Sequence, residues 1–207
     1  MTVKVAKQMS NADEVHWLKP DQVEAMRAAV LEGSHPERDN AILTLLYDTG
    51  LRRAELSGVD RAMLDVDDEL LRIPSRIQKG YPNDRDPRPA TFELDRGENL
   101  RTIATLNAYL EVRDDVDALF PSQMSTRMSP KGVNDVVKRA ARRADIRPFT
   151  FEGRGGPDDV SAHTLRHSLA WRMLRVETGN ILYDVRNRLR HRSLQTTERT
   201  YDHFETI

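Results

Sequence analysis

The spacing of apolar residues divides the chain into helical stretches at both ends and a strand-like stretch between them. From Pro20 to Leu31 (PDQVEAMRAAVL) apolar positions recur at helical spacing, with Pro in the first turn and Gly33 past the end, which predicts a helix. Arg38–Tyr47 (RDNAILTLLY) predicts a second, more apolar helix, stopped by Asp48-Thr49-Gly50. The pattern then shortens to Ala62–Val66, Leu70–Pro74 and Thr91–Leu94, three strand-like segments separated by turn-rich sequence. Gln78–Pro89 (QKGYPNDRDPRP), full of Pro, Gly, Asn and Asp, reads as the tip of a long hairpin. Over Glu98–Val112, Leu100, Ile103, Leu106 and Leu110 share one face, so helix returns. Ser129–Ala144 opens on Ser and Pro and is amphipathic and very basic, and Phe149–Asp159 is a Gly-rich loop. Ser161–Glu177, Ile181–Leu189 and Leu194–His203 predict three more helices.

The expected fold class is therefore α+β, mostly α-helical, with a small antiparallel three-stranded sheet. No internal repeat or Gly/Ser linker interrupts the pattern, so residues 15–207 read as one domain behind a flexible leader, residues 1–14.

Composition narrows the chemistry. The chain of 207 residues has no cysteine. That excludes a disulfide scaffold, thiol catalysis and cysteine-ligated zinc or iron–sulfur centres. Apolar runs are only a few residues long, and the first eight residues (MTVKVAKQ) lack a signal-peptide core, so a cytoplasmic protein is expected. The net charge of −1 hides an asymmetry: within Arg127–Arg192, 15 basic residues face 7 acidic ones. A near-neutral chain with one basic face suits a polyphosphate partner. Of the 32 basic residues 26 are Arg, whose planar fork grips phosphate with two hydrogen bonds. Genome composition is the better explanation of the overall ratio; the clustering is harder to dismiss.

Three places combine phosphate-type ligands with groups that move protons. In Thr49-Gly50-Leu51-Arg52-Arg53-Ala54-Glu55-Leu56 a helix ends at Gly50 and a new turn begins at once, so that Glu55 can brace Arg52. Taken alone this reads more readily as a surface ion pair. In His163-Thr164-Leu165-Arg166-His167, His163 and Arg166 share a face near a helix start, where anions bind readily. His163 and His167 also have the spacing of a metal pair, but the HExxH glutamate and a third ligand are missing, so no metal is expected. The third place is Leu189-Arg190-His191-Arg192-Ser193 followed by Thr196-Thr197-Glu198-Arg199-Thr200-Tyr201-Asp202-His203. A phenol with a pKa near 10 is a poor nucleophile unless cations favour its anion.

In this order, TGLRRAEL, HTLRHSLAWRML, LRHRS and TTERTYDH resemble the active site of the tyrosine recombinase (phage integrase) family, over about Val15–His203. The resemblance implies the catalytic-domain fold of DNA breaking–rejoining enzymes. It makes Arg52 the first catalytic arginine, His163 and Arg166 the His-x-x-Arg pair, His191 the His/Trp position that donates a hydrogen bond to the phosphate, and Tyr201 the nucleophile. Lys79, the only lysine between residues 20 and 130, takes the place of the hairpin lysine. His167 is expected to be a supporting residue. Arg139, Arg142, Arg143, Arg190 and Arg192 are expected at DNA phosphates. Arg190 departs from the family pattern, which commonly has Gly before the histidine.

The implied reaction is attack of Tyr201 on a DNA phosphate to give a 3′-phosphotyrosyl link and a free 5′-hydroxyl. Arginines offset the growing charge, Lys79 protonates the leaving oxygen and His163 handles the tyrosine proton. Neither metal nor ATP is required, and no cofactor is expected. Double-stranded DNA at an attachment or recombination site is the expected partner, with a nucleoid-associated location. A separate N-terminal core-binding domain, usual in the family, is not expected here, and only six residues follow Tyr201. A monomer in solution and a tetramer on synapsed DNA are expected. The alternatives are a relaxing topoisomerase of type IB chemistry, or a non-catalytic DNA-binding regulator on the same fold.

Overall fold

The structure, a computed structural model, describes residues 15–80, 87–97, 99–122 and 125–204. The expected leader, residues 1–14, and the hairpin tip, residues 81–86, lie outside them. The described elements are α1 (Pro20–Leu31), α2 (Pro36–Thr49), α3 (Arg53–Ser57), β1 (Leu64–Asp65), β2 (Leu70–Ile73), β3 (Ala90–Glu93), α4 (Thr102–Val112), α5 (Pro130–Arg143), α6 (Ala162–Arg175), α7 (Leu182–Leu189) and α8 (Leu194–Tyr201).

Helix α2 is the central element. Residues 41–49 are buried without interruption, because their apolar side chains run all round the helix rather than along one stripe. α1, α4, α5 and α6 pack against it. The sheet is antiparallel in the order β1-β2-β3, with Leu71 paired to Leu64 and Phe92. Leu71, Ile73 and Phe92 turn inward, while Arg72 faces out, the period-two alternation of a sheet with one wet face. A second apolar cluster closes the C-terminal end: Leu169, Ala170 and Met173 of α6 pack with Val185 and Leu189 of α7 and with Tyr201 and Phe204.

Where expectation and structure part, local hydrogen bonding explains the difference. Residues 61–63 form a 3₁₀ turn rather than strand, leaving only Leu64–Asp65 to pair. The fourth helix starts at Thr102, not Glu98. Arg101 stands in the left-handed region, and the carboxylate of Asp95 accepts from the Leu100 N–H, holding the preceding segment as a turn. α8 ends at Tyr201, and residues 202–204 tighten to a 3₁₀ turn. No helix among the described residues is long and apolar enough to cross a membrane.

Candidate active site

Gly50 ends α2 at φ 64°, a left-handed conformation that side chains disfavour by roughly 1 kcal/mol. Space forbids a side chain as well: a Cβ there would lie 2.6 Å from Leu189 and 2.8 Å from Leu169. This reversal brings Arg52 to the start of α3. Oε2 of Glu55 accepts from the Arg52 backbone N–H at 2.8 Å, while Oε1 takes its guanidinium at 3.0 Å. Glu55 is fully buried. Burial pushes its carboxyl up, but Arg190, the Arg52 backbone amide and the Arg52 guanidinium outweigh it, so the pKa falls below the ordinary value. A carboxylate so held is a fixed brace.

α6 supplies the next group. Ser161 caps it, its hydroxyl accepting from Thr164 N–H at 3.3 Å while Thr164 Oγ1 accepts from Ser161 N–H at 3.0 Å. Ser168, one face round, donates to the Thr164 carbonyl at 2.7 Å and accepts from Leu18 N–H at 2.8 Å, tying the entering chain to the helix. Arg166 is 2 % exposed, and its guanidinium donates to the carbonyls of Gly50 and Leu189. It thereby joins the ends of α2 and α7 at one point. Burial first, then neighbouring Arg52, hold its pKa down to about 10, which leaves it a cation at neutral pH.

His163 stands one turn before His167, with ring centroids 4.3 Å apart and edge to face. Its outer edge is open to solvent. Packing on its other side, then the field of Arg166, Arg52, Arg53 and Lys79, lower its pKa to about 4. His191 is lowered to about 3, by burial and then by Arg166 and Arg52. His167, 7 % exposed, is also pushed well below the usual range, chiefly by burial. At neutral pH the site therefore sets three neutral imidazoles among fixed guanidinium cations.

Tyr201 lies in the middle of this group, 1 % exposed. Its ring stacks on His191 at 6.0 Å and on Phe204 at 5.5 Å. Its hydroxyl shares a 2.8 Å hydrogen bond with Nδ1 of His167. Burial raises the phenol pKa more than Arg166 and Arg52 lower it, so the hydroxyl stays protonated. His191 is itself oriented by a 2.9 Å hydrogen bond between Nδ1 and Thr197 of α8.

Two cavities meet at His163. One, of 460 Å³, is lined by the cations Arg52, Arg53, Lys138 and Arg166, by His163, and by the carboxylates Asp158 and Asp159. The second, of 520 Å³, is lined by His16, Arg154, His163 and His167 among others. Tyr201 lines neither. The 460 Å³ cleft has the guanidiniums, imidazole and size that an oxyanion requires. Lys79 is exposed, in the β2–β3 connection, and its charge reaches His163. So Arg52, Lys79, His163, Arg166, His191 and Tyr201 share one neighbourhood, although residues 52 and 201 are far apart in sequence.

The other arginines disperse. Arg139 pairs with Asp39 at 2.9 Å, and with Arg143 it lines a separate cleft of 660 Å³ that shares no residue with the first. Arg142 donates to Asp158 at 2.6 Å and remains largely exposed, as does Arg192. Arg190, expected at a phosphate, turns inward: Nη2 donates to Glu55 at 2.6 Å and Nη1 to Gln78 at 2.9 Å. The structure adds a contact at each of three further positions. Lys138 on the basic face of α5 lines the cationic cleft, His167 holds the phenol, and Glu55 serves two arginines rather than one. His167, one turn after His163, and Glu55, three residues after Arg52, are legible in the sequence, whereas Lys138 and the second arginine on Glu55 are not.

Known proteins share this sequence pattern and this fold. The chain is 35% identical over 165 residues to the tyrosine recombinase XerC of Corynebacterium glutamicum, an alignment that covers 78% of this chain and 45% of the relative. To the tyrosine recombinase XerC of Bifidobacterium longum it is 33% identical over 175 residues, covering 81% and 43%. The chain thus spans about half the length of the curated relatives it matches. The fold is that of the XerA recombinase crystal structure, at TM-score 0.66, 20% identity, and coverage of 100% of this chain and 68% of that one. It is equally that of the Tn1549 transposon integrase in complex with transposon right end DNA, at TM-score 0.71, 13% identity, 96% and 63%. The phage integrase family model matches residues 16–206, and the chain belongs to that family.

Proposed function

We propose that this chain cuts and rejoins double-stranded DNA at specific sites, through a 3′-phosphotyrosyl intermediate on Tyr201. The observation that carries the reading is the gathering of Arg52, Arg166, His163 and His191 about Tyr201, beside a cationic cleft of 460 Å³. The names of the relatives, tyrosine recombinases, and the DNA in the Tn1549 integrase complex support the same chemistry.

Each group then has a physical role. A scissile phosphate in the cleft is held by Arg52 and by Arg166, whose geometry is set beforehand by Glu55 and by the Gly50 and Leu189 carbonyls. Cations already fixed by protein contacts cost no reorganisation as charge builds in the five-coordinate transition state. His191, neutral and oriented by Thr197, donates a hydrogen bond to the phosphate. His167, neutral at Nδ1, accepts the phenol proton as the oxygen bonds to phosphorus. His163 is the second member of that imidazole pair. Lys79 protonates the departing 5′-oxygen. The phosphotyrosyl bond conserves the energy of the broken diester, so a 5′-hydroxyl from another strand attacks it in the reverse sense and releases the phenol.

In the described state Tyr201 lines neither cavity, so attack requires the phenol oxygen to reach the phosphate while it still hands its proton to His167. Arg142 and Arg192, exposed near the cleft-lining Asp158 and the α8 entry respectively, serve as backbone-phosphate contacts. Synapsis of two duplexes by four copies completes the strand exchange.

The test is a supercoiled plasmid carrying two copies of a site selected from a random-sequence library, incubated with chelator and without ATP. Recombinant circles are the expected product. Relaxed circles of parental sequence alone would assign topoisomerase chemistry, and tight binding with no change of topology would assign a DNA-binding regulator.

A further inference from the structure

Residue 190 closes α7 in the left-handed region, at φ 54° and ψ 44°. Glycine or asparagine suits that conformation better than arginine does, and here the arginine side chain is held by several contacts. Its contacts are specific. One nitrogen donates to Oε2 of Glu55 at 2.6 Å, the same oxygen that accepts the Arg52 backbone amide, while Oε1 of that carboxylate holds the Arg52 guanidinium. The other donates to Oε1 of Gln78 at 2.9 Å. The guanidinium also lies over the Phe92 ring of β3, 5.1 Å from its centroid. The side chain is 14% exposed.

Gln78 is equally constrained. Its amide nitrogen donates to the Arg88 carbonyl at 2.7 Å and the Ile73 carbonyl at 3.2 Å, spanning the base of the β2–β3 connection, and the next residue is Lys79. The neighbour of Arg190 on the other side is His191. One side chain therefore joins three parts of the candidate site that come from separate elements: the Arg52–Glu55 brace, the segment carrying Lys79, and the turn carrying His191.

We propose that Arg190 is a positioning residue, setting Arg52 and the Lys79 segment in fixed relation to His191. The inference rests on the DNA-cleavage reading above for its consequence, but its geometric half stands apart from it. Its planar fork reaches Glu55 and Gln78 from two separate nitrogens; a lysine offers a single nitrogen with no fixed fork.

The test uses Arg190→Gly, a residue that favours the left-handed turn and so preserves the fold, and Arg190→Lys as the conservative variant. In the free protein, exchange of the Ile77 and Gln78 amides, which donate to Pro74 and Ser75, is expected to quicken on the order of tenfold in Arg190→Gly. On a nicked duplex carrying the selected site, covalent adduct formation is expected to slow by about tenfold or more, with DNA affinity within about twofold of the parent. Arg190→Lys is expected to fall between. Unchanged exchange overturns the tie, and a rate that falls only in step with affinity makes Arg190 a phosphate contact instead. A parent chain that forms no adduct overturns the cleavage reading, while the exchange result still decides the tie.

Discussion

The hydroxyl of Tyr201 and Nδ1 of His167 share a 2.8 Å hydrogen bond in the apolar cluster between α6 and α8. The sequence reading placed the tyrosine proton on His163. The structure puts His163 at the mouth of two cavities and its neighbour one turn on at the phenol itself.

His167→Asn is therefore expected to slow phosphotyrosine formation by about a hundredfold, the usual worth of a positioned proton acceptor. DNA affinity is expected to stay unchanged, because His167 does not line the cationic cleft. Single-turnover cleavage of a nicked duplex, measured beside equilibrium binding, checks both. A parental cleavage rate would remove His167 from the reaction.

Glu55→Gln removes a buried charge set between two guanidiniums. Arg52 and Arg190 are then left close together without their counter-ion, and stability is expected to fall by about 3 kcal/mol. Urea denaturation gives the figure directly. Because the Glu55 pKa is depressed, its contribution is complete above the ordinary carboxylate range and is lost as pH falls through the lowered folded value.

Stability is also expected to decline on mild acidification through the histidines. His163 and His191 titrate near 4 and 3 in the folded chain, below the ordinary 6.5. Between those values and 6.5 the unfolded chain binds more protons, so unfolding becomes easier as pH drops. Thermal melts from pH 7 to pH 4 are expected to show a falling midpoint, with a shallower slope in His191→Asn. A midpoint that rose on acidification would mean these imidazoles are charged in the folded state.

Spacing alone disclosed the set of elements, while the ingredients of the site came from the resemblance of the four motifs to the family. Amphipathic period, Pro at helix starts and Gly50 at a helix end each have local causes, so α1, α2, α5 and α7 fall close to their expected bounds. Contacts between distant positions were not legible. The Glu55–Arg190 pair joins residues 135 apart, and nothing in either local sequence announces the other. The left-handed turn at Arg190 was hidden for a related reason, since arginine is not a residue that signals such a turn. Ala62 and Met63 mimic a strand by composition, yet a 3₁₀ bond from Met63 to Asp60 claims them first. The dispersal of Arg139 and Arg143 to another cleft followed from the path of α5 across α2, which a helical pattern does not specify.

The central claim is that Tyr201 becomes covalently joined to the 3′ end of a cut DNA strand. The chain is incubated with the nicked duplex, denatured in SDS, trimmed with nuclease and protease, and the modified peptide is sequenced by mass spectrometry. The account predicts one nucleotide adduct, a 3′-phosphate ester on Tyr201, absent in Tyr201→Phe although that variant still binds the duplex. An adduct on another residue, or one attached through a 5′-phosphate, would contradict it.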